Sequence, residues 1–250
     1  MDMINFLFIA ILGLVIGSFL NCLVWRINTK KGIWLGRSVC PRCSHALDWK
    51  DLVPLVSWFC LGGKCRYCRQ KISWQYPAVE MLTVVVFVLM YFKFGFTLTL
   101  LANLITASFL IVIFIYDIKY YLILDRVSLP AIIFAIFSVL VFNYGFMNHL
   151  AAAVIGSGFF ALQYFLSGGR WVGGGDIRLG FLMGVVLGLP QVVAAIFIAY
   201  FLGAIVGVGL LLTKKKKMGS EVPFGAFLVP ATLIVILYGN QIMNWYWSIL

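Results

Sequence analysis

Charged residues are scarce in this sequence of 250 residues, which is 11% charged and 63% hydrophobic and has a mean hydropathy of +1.04. A water-soluble domain cannot bury that much apolar surface, so the composition excludes the soluble globular class. It indicates a multi-pass membrane protein whose partner is the lipid bilayer. The N-terminal apolar run also lacks a basic start and a small-residue cleavage site. We therefore interpret this run as a retained first span and not as a signal peptide.

Histidine is nearly absent, and its scarcity excludes several catalytic classes. The only two histidines, His45 and His149, fall in segments predicted to lie on opposite sides of the membrane. They cannot serve one site, which argues against a Ser-His or Cys-His nucleophile. The HExxH motif of zincins does not occur either.

Apolar runs long enough to span a bilayer recur along the whole chain. A span needs about 20 mostly apolar residues. Eight candidates occur, at 4–25, 77–94, 97–116, 127–143, 148–167, 177–189, 190–213 and 222–239. The sixth is short and Pro190 separates it from the seventh, so one merged span is the alternative.

These spans predict an all-α polytopic fold of about eight transmembrane helices, with a small cytoplasmic zinc-ribbon-like insert after the first. The predicted parts are a first helix at 1–27, a four-cysteine zinc-binding insert at 28–75 and a transmembrane catalytic bundle at 76–250.

Basic residues dominate the charge, and their placement predicts orientation. The formal net charge is +11, and 18 of the 19 Lys and Arg residues fall in alternate loops, including Lys214 to Lys217. The positive-inside rule places these loops in the cytoplasm. The insert is then cytoplasmic and both termini lie outside. Topology explains the basic charge, so no nucleic-acid partner is predicted.

Four cysteines in the insert form two C-x2-C pairs separated by 21 residues, namely Cys40 with Cys43 and Cys65 with Cys68. Two such pairs can converge four thiolates on a tetrahedral Zn²⁺. Two disulfides or a redox pair are the alternatives, but a reducing compartment disfavours disulfides. With four cysteine ligands no position stays open for catalysis, so we expect a structural metal that folds the insert.

Eight acidic residues occur, and four of them lie near membrane spans. An ionisable group at membrane depth is a functional candidate. Asp117 ends the third span, and Asp176 begins the sixth after Gly173, Gly174 and Gly175. The other two candidates are Glu80, at the start of the second span, and Asp125.

Asp117 and Asp176 are predicted at similar depth on the same side of the membrane. If they meet, they cannot both ionise easily, and one can act as base while the other donates a proton. This is aspartic-protease chemistry, and the glycines would let a helix or a substrate strand approach closely. Alternatively, Asp176 caps its own helix and Asp117 pairs with Lys119 or an arginine. Glu80 could orient the site or bond to a neighbouring helix.

Several motifs together resemble the type IV prepilin peptidases, which are bacterial membrane aspartic proteases of the GxGD type. In chain order they are GLVIGSFLNCLVWRI at 13–27, the paired C-x2-C insert, YPAVEMLT at 76–83, two aspartates eight positions apart at 117 and 125, GGGDIRLG at 173–180, and VPFGAFLVP at 222–230. The similarity covers nearly the whole chain. Leu124 departs from it, because family members commonly have proline before the second aspartate of the first motif.

The resemblance implies that Asp117 and Asp176 are the catalytic pair, with Asp125 in a structural or supporting role. It implies an enzyme of the bacterial cytoplasmic (inner) membrane that removes the leader of prepilins or pseudopilins on the cytoplasmic side. N-methylation of the new terminus with S-adenosylmethionine would follow. The resemblance assigns no S-adenosylmethionine contacts here.

Two other functions use the same features. A transporter could use membrane carboxylates for proton coupling, but would show inverted repeats, and the sequence shows none. A zinc-dependent scaffold would need the insert but not the aspartates.

Overall fold

The computed structural model describes residues 2–29, 32, 37–213 and 222–249. Within these residues the chain forms nine α-helices and one 3-10 turn, and two isolated bridges but no extended strand occur. The helices are α1 Asp2–Asn28, α2 Val56–Cys60, α3 Gln75–Phe94, α4 Leu98–Tyr120, α5 Asp125–Val141, α6 Phe146–Ser167, α7 Gly174–Leu187, α8 Gln191–Leu212 and α9 Gly225–Ile249. The basic residues Lys30, Lys31 and Lys214 to Lys217 lie outside the described residues.

Eight long helices occupy the positions of the eight predicted spans, which confirms the all-α polytopic fold class. Six of them, α1, α3, α4, α6, α8 and α9, are long and apolar enough to cross a membrane. The other two, α5 and α7, have 17 and 14 residues. At 1.5 Å per residue they reach about 26 and about 21 Å, less than the roughly 30 Å of a hydrocarbon core. α7 ends before Gly188 and α8 begins after Pro190, so the sixth and seventh runs are separate helices.

The chain divides into two compact units, residues 1–104 and 105–250, with the division inside α4. In the first unit α1 packs antiparallel to α3 at two glycines. A Cβ atom on Gly13 would lie 2.8 Å from the Cα of Val84, and one on Gly17 would lie 2.8 Å from the Cα of Glu80. Because neither glycine has a side chain, the two backbones approach closely, as in other small-xxx-small membrane helix pairs.

The second unit is built around the short helix α7, which packs against α5, α6, α8 and α9. Leu179, Leu182 and Met183 are almost fully buried on this helix. Gly184 lies against the backbone of Ala152 and Ala153 in α6, and a Cβ atom there would overlap with it. The central position of α7 places its first turn, which carries Asp176, among several other helices.

Candidate active site and metal centre

Asp117 lies in the last turn of α4 and is held by the first turn of a distant helix. Its side chain is buried, and its Oδ2 accepts a hydrogen bond of 2.9 Å from the backbone N–H of Ala226 in α9. The first N–H groups of a helix have no partner within the helix and carry a partial positive charge. The start of α9 therefore binds this carboxylate as a helix N-terminus binds an anion.

Asp176 lies in the first turn of α7, and it is also buried. Its Oδ2 accepts a hydrogen bond of 2.8 Å from the backbone N–H of Gly173, and its own N–H donates to the carbonyl of Gly173. Asp176 thus does cap its own helix. This hydrogen bond orients the carboxyl group of Asp176. It also gives a partner to the N–H of Gly173, at an end of α7 that is surrounded by other helices.

Ile123, in the turn between α4 and α5, connects the segments that carry the two aspartates. A Cβ atom on Gly175 would lie 2.7 Å from the Cβ of Ile123, and one on Gly225 would lie 3.2 Å from its Cδ1. The same atom on Gly225 would lie 2.8 Å from Oδ2 of Asp117. The carboxyl groups of Asp117 and Asp176 are near enough to interact electrostatically. Two buried carboxyl groups supplied by different helices therefore share one region.

No basic side chain pairs with either buried aspartate among the described residues. The ion pairs there are Arg37 with Asp48, Arg66 with Asp51, and Arg178 with Asp125. Lys119, the predicted alternative partner of Asp117, instead has its ammonium 5.4 Å from the ring centroid of Tyr120. Backbone N–H groups therefore hold both carboxyl groups, which leaves them available for proton transfer.

Asp125 takes a different role from the buried pair. It is the first residue of α5, it is about half exposed, and it pairs with Arg178 of α7. This ion pair connects the start of α5 to α7 two residues after Asp176. Asp125 thus pairs with a basic side chain at the protein surface, unlike the two buried aspartates.

An aromatic cluster lies within electrostatic range of Asp176. The ring of Phe224 lies 4.9 Å from that of Tyr200 and 6.0 Å from that of Phe160, measured between centroids. The Tyr200 hydroxyl donates a hydrogen bond to Oε1 of Gln163 at 2.6 Å. Tyr200 is also close enough to Asp176 to interact with it electrostatically. These rings form an apolar surface in this part of the second unit.

Sequence reasoning missed the two groups that complete this region, Ile123 and the N–H of Ala226. The motif VPFGAFLVP was recognised as part of a resemblance, but Gly225 was not assigned to the site. A proline and a glycine just before an apolar run indicate a helix start, which could have predicted free N–H groups there. The identity of Ala226 carries no such signal, because its backbone makes the contact.

The four predicted cysteine ligands converge within the insert of the first unit. All six cysteines are free thiols, and the Sγ atoms of Cys40, Cys43, Cys65 and Cys68 lie within 4.8 Å of one another. The Sγ atoms of Cys40 and Cys68 are 3.9 Å apart. Four sulfurs about 2.3 Å from a tetrahedral zinc would be separated by about 3.8 Å, so the residues fit a metal ion.

Two similar turns present the four sulfurs. In one turn the N–H of Cys40 donates to the carbonyl of His45, and in the other the N–H of Cys65 donates to the carbonyl of Gln70. Each turn closes with a non-glycine residue in the left-handed region, Ser44 at φ 57 and Arg69 at φ 56. The same turn geometry, used twice, brings four sulfur atoms together from two short segments.

Local hydrogen bonds prepare the first ligand for ionisation. Burial opposes the charged form of the Cys40 thiol, but the backbone N–H groups of Cys43 and Arg42 donate to it and lower its pKa to about 7. Metals bind the thiolate and not the thiol.

A second layer of contacts joins the two turns of the insert. Asp51 accepts from Nε of Arg66 at 2.7 Å and from the hydroxyl of Tyr67 at 3.1 Å. The ring of His45, from the first turn, packs at a tilt against that of Tyr67, from the second, with centroids 3.7 Å apart. His45 therefore packs against the second turn and is not one of the four clustered ligands.

Glu80 does not belong to the same unit as the two aspartates. It is buried in α3, and its Oε2 accepts a hydrogen bond of 2.8 Å from the backbone N–H of Leu55 in the insert. Asn21 of α1 is also buried and donates to the carbonyl of Tyr76 at the start of α3. The hydrogen bond to Leu55 attaches the insert to α3, and the one from Asn21 joins α1 to α3.

Comparison with known proteins gives matches along most of the chain. The profile of the Bacterial Peptidase A24 N-terminal domain matches residues 11–94, and that of the Type IV leader peptidase family matches residues 104–208. A protein of Bacillus subtilis is 32% identical over 98% of this chain and 98% of its own length. One of Aeromonas salmonicida is 30% identical over 97% and 94%.

A third relative, from Pseudomonas aeruginosa, is 29% identical over 94% of this chain and 91% of its own. All three relatives are named prepilin leader peptidase/N-methyltransferase. No solved structure gives a significant match to this chain.

Proposed function

Because the chain belongs to the type IV leader peptidase family, we propose that it is a membrane aspartic endopeptidase that removes the leader of type IV prepilins or pseudopilins. The observation that carries the mechanism is the pair Asp117 and Asp176, two buried carboxyl groups held by N–H groups at the starts of α9 and α7. The transporter alternative is not favoured, because both the family and the named relatives are peptidases.

In the proposed reaction the two carboxyl groups exchange roles as base and acid. The ionised carboxylate removes a proton from a water molecule, and the water oxygen attacks the scissile carbonyl carbon. The protonated carboxyl group donates its proton to the carbonyl oxygen, which gives a tetrahedral diol. Collapse of the diol breaks the C–N bond as a proton passes to the leaving amine. The N–H groups of Ala226 and Gly173 fix one oxygen of each aspartate throughout.

We propose that Cys40, Cys43, Cys65 and Cys68 hold a structural Zn²⁺. Its contribution would be to fold the insert, because four cysteine ligands leave no open coordination position. S-adenosylmethionine is proposed as the methyl donor of a second step, N-methylation of the new terminus. The names of the relatives support that step.

The proposed setting is the bacterial inner membrane, with both termini outside and the insert cytoplasmic. The loop distribution of the basic residues supports this orientation. In functional terms we divide the chain into a first helix at 1–27, a metal-binding insert at 28–75 and a catalytic bundle at 76–250.

The test compares cleavage of a purified prepilin by the wild type, Asp117→Asn, Asp176→Asn and the matched control Asp125→Asn in the same membranes. Asparagine keeps the shape of the side chain but cannot act as base or acid. We expect each of the first two variants to lose at least about 10³-fold in kcat, and Asp125→Asn to lose less than about tenfold. Thermal unfolding and bound zinc, measured on the same preparations, should match the wild type. Near-normal cleavage by folded Asp117→Asn or Asp176→Asn would refute the proposed mechanism.

A further inference from the structure

The insert carries a short exposed apolar segment that neither the metal centre nor the proposed reaction uses. This segment, residues 52–59, has the sequence LVPLVSWF. Its large exposed apolar side chains are Leu52 at 40%, Val53 at 36%, Val56 at 58% and Phe59 at 62%. Contiguous exposed apolar groups of this kind mark a surface that meets a partner or a membrane.

A hydrogen bond fixes the depth of this segment along the membrane helices. Leu55, at its centre, donates its N–H to Oε2 of Glu80 at 2.8 Å. Glu80 lies five residues after the start of α3, which corresponds to about 8 Å along the helix axis. Its backbone contacts Gly17, which lies eleven residues, or about 16 Å, before the end of α1. Because the Glu80 side chain leans toward the start of α3, the N–H of Leu55 lies between that start and the level of the Glu80 backbone, beside the beginning of the apolar span.

The surroundings of the segment at that level are apolar and exposed. In sequence, Phe19 lies two positions after Gly17 in α1, and Met81 directly follows Glu80 in α3. Their side chains are 45% and 48% exposed. Both belong to helices that are apolar and long enough to cross a bilayer, so these side chains face lipid. The exposed side chains of residues 52–59 thus lie at the same end of the helix pair as these lipid-facing side chains.

The rest of the insert has the composition of a membrane-surface element. Residues 37–74 contain seven Lys and Arg residues and two aspartates, a net charge of +5. Trp49 and Trp74 are 72% and 66% exposed. Basic residues favour an anionic leaflet, and exposed tryptophans favour the level of the lipid headgroups.

We propose that residues 52–59 form an interfacial membrane segment, with Leu52, Val53, Val56 and Phe59 in the boundary between headgroups and acyl chains of an anionic leaflet. Glu80 acts as the residue that positions the segment, through the N–H of Leu55. The insert is then attached to the bilayer by its own side chains as well as by α1 and α3. This attachment is independent of the peptidase reaction.

Photo-crosslinking to lipid tests this proposal. A benzophenone amino acid is placed singly at Val56 or Phe59 in the full-length, metal-loaded protein in nanodiscs of phosphatidylethanolamine and phosphatidylglycerol. Phe92 of α3, 69% exposed, is the positive control, and Gln70, an exposed residue of the second cysteine turn, is the negative control. We expect phospholipid adducts at Val56 and Phe59 in at least half the yield found at Phe92. Yields as low as at Gln70, or adducts to protein in place of lipid, would overturn the proposal.

The role of Glu80 has a separate test in the Val56 benzophenone protein. Glu80→Gln keeps an oxygen acceptor for the N–H of Leu55, whereas Glu80→Ala removes it. We expect the lipid adduct to persist in Glu80→Gln and to fall several-fold in Glu80→Ala, with zinc content and thermal unfolding measured on both. An unchanged adduct yield in folded Glu80→Ala would overturn the positioning role of Glu80.

Discussion

Gly174 and Gly175 are neighbours in the triple glycine, but the space around them differs. A Cβ atom on Gly174 would meet nothing within 4 Å, whereas one on Gly175 would lie 2.7 Å from the Cβ of Ile123. The close approach that the glycine run suggested is therefore needed at Gly175 in particular, where the backbone passes Ile123.

We therefore predict that Gly175→Ala loses at least about tenfold in prepilin cleavage, since its methyl group displaces Ile123 and the first turn of α7. Gly174→Ala is the matched control and should stay near the wild-type rate. Adding Ile123→Ala to Gly175→Ala should recover part of the lost activity, because it empties the space that the new methyl group needs. Equal rates for the two glycine variants would contradict this explanation.

Gly225 gives a second prediction at the residue scale. A Cβ atom there would lie 2.8 Å from Oδ2 of Asp117, so Gly225→Ala should move the carboxylate away from the N–H of Ala226. We expect kcat to fall at least about tenfold. Gly207→Ala in α8, where an added Cβ meets nothing within 4 Å, controls for placing alanine in a membrane helix. Cleavage assays and thermal unfolding in detergent check both variants, and an active Gly225→Ala would argue against tight packing at Asp117.

Side chains with distinctive chemistry were predictable from the sequence, but backbone contacts were not. Spacing alone predicted the cluster of four cysteines, since two C-x2-C pairs can converge four sulfurs on one metal ion. Asp117 and Asp176 stood out as acids in apolar surroundings. The contact between Asp117 and the N–H of Ala226 depends on how α4 and α9 pack, and the residue types do not encode it.

At the scale of elements, hydropathy located every long helix but placed some ends imprecisely. The last span was expected to end at 239, whereas α9 continues to Ile249 through a more polar, Trp-rich stretch. Composition marks the apolar part of a helix, while hydrogen bonding continues the helix beyond it. The third apolar run was placed at 97–116 with Asp117 at its end, and α4 continues beyond it to Tyr120.

The insert is the element for which a pH dependence can be predicted. Asp51 has a side chain that is only 4% exposed. Burial favours its neutral form, but the hydrogen bond from Arg66 and the N–H of Asp48 outweigh burial and lower its pKa. A carboxyl group whose pKa is lower in the folded state adds stability above its unfolded pKa of about 3.9, and loses it as the pH falls through the folded value.

Asp51→Asn should accordingly speed hydrogen exchange of the insert at pH 7, by about tenfold, in the metal-loaded protein. The difference from wild type should shrink as the pH falls below about 4, because the wild-type carboxyl group then also becomes neutral. Bound metal is measured at each pH, and the two proteins are compared only where both keep it, because acid also protonates the metal ligands. A difference that stayed constant down to acid pH would exclude ionised Asp51 as its source.

At the scale of the whole molecule, the lengths of α5 and α7 predict a response to bilayer thickness. Both helices are shorter than an average hydrocarbon core, and α7 carries Asp176. Short helices are accommodated by local thinning of the bilayer, which costs more in a thick one. We expect cleavage to be about threefold or more faster in dimyristoyl than in dierucoyl phosphatidylcholine, both fluid and at one temperature. Equal rates at saturating substrate would show that bilayer thickness does not affect catalysis through either helix.

The hydrogen bond between Asp117 and Ala226 also has a consequence for biosynthesis. The two residues are 109 positions apart, and α9 is the last helix of the described chain to leave the ribosome. A nascent chain that has inserted α4 and α7 already carries both aspartates, but the N–H group that orients Asp117 has not yet been translated. The proposed active site is therefore incomplete until α9 has entered the membrane, and we expect a chain that stops before α9 to cleave prepilin more slowly than the full chain.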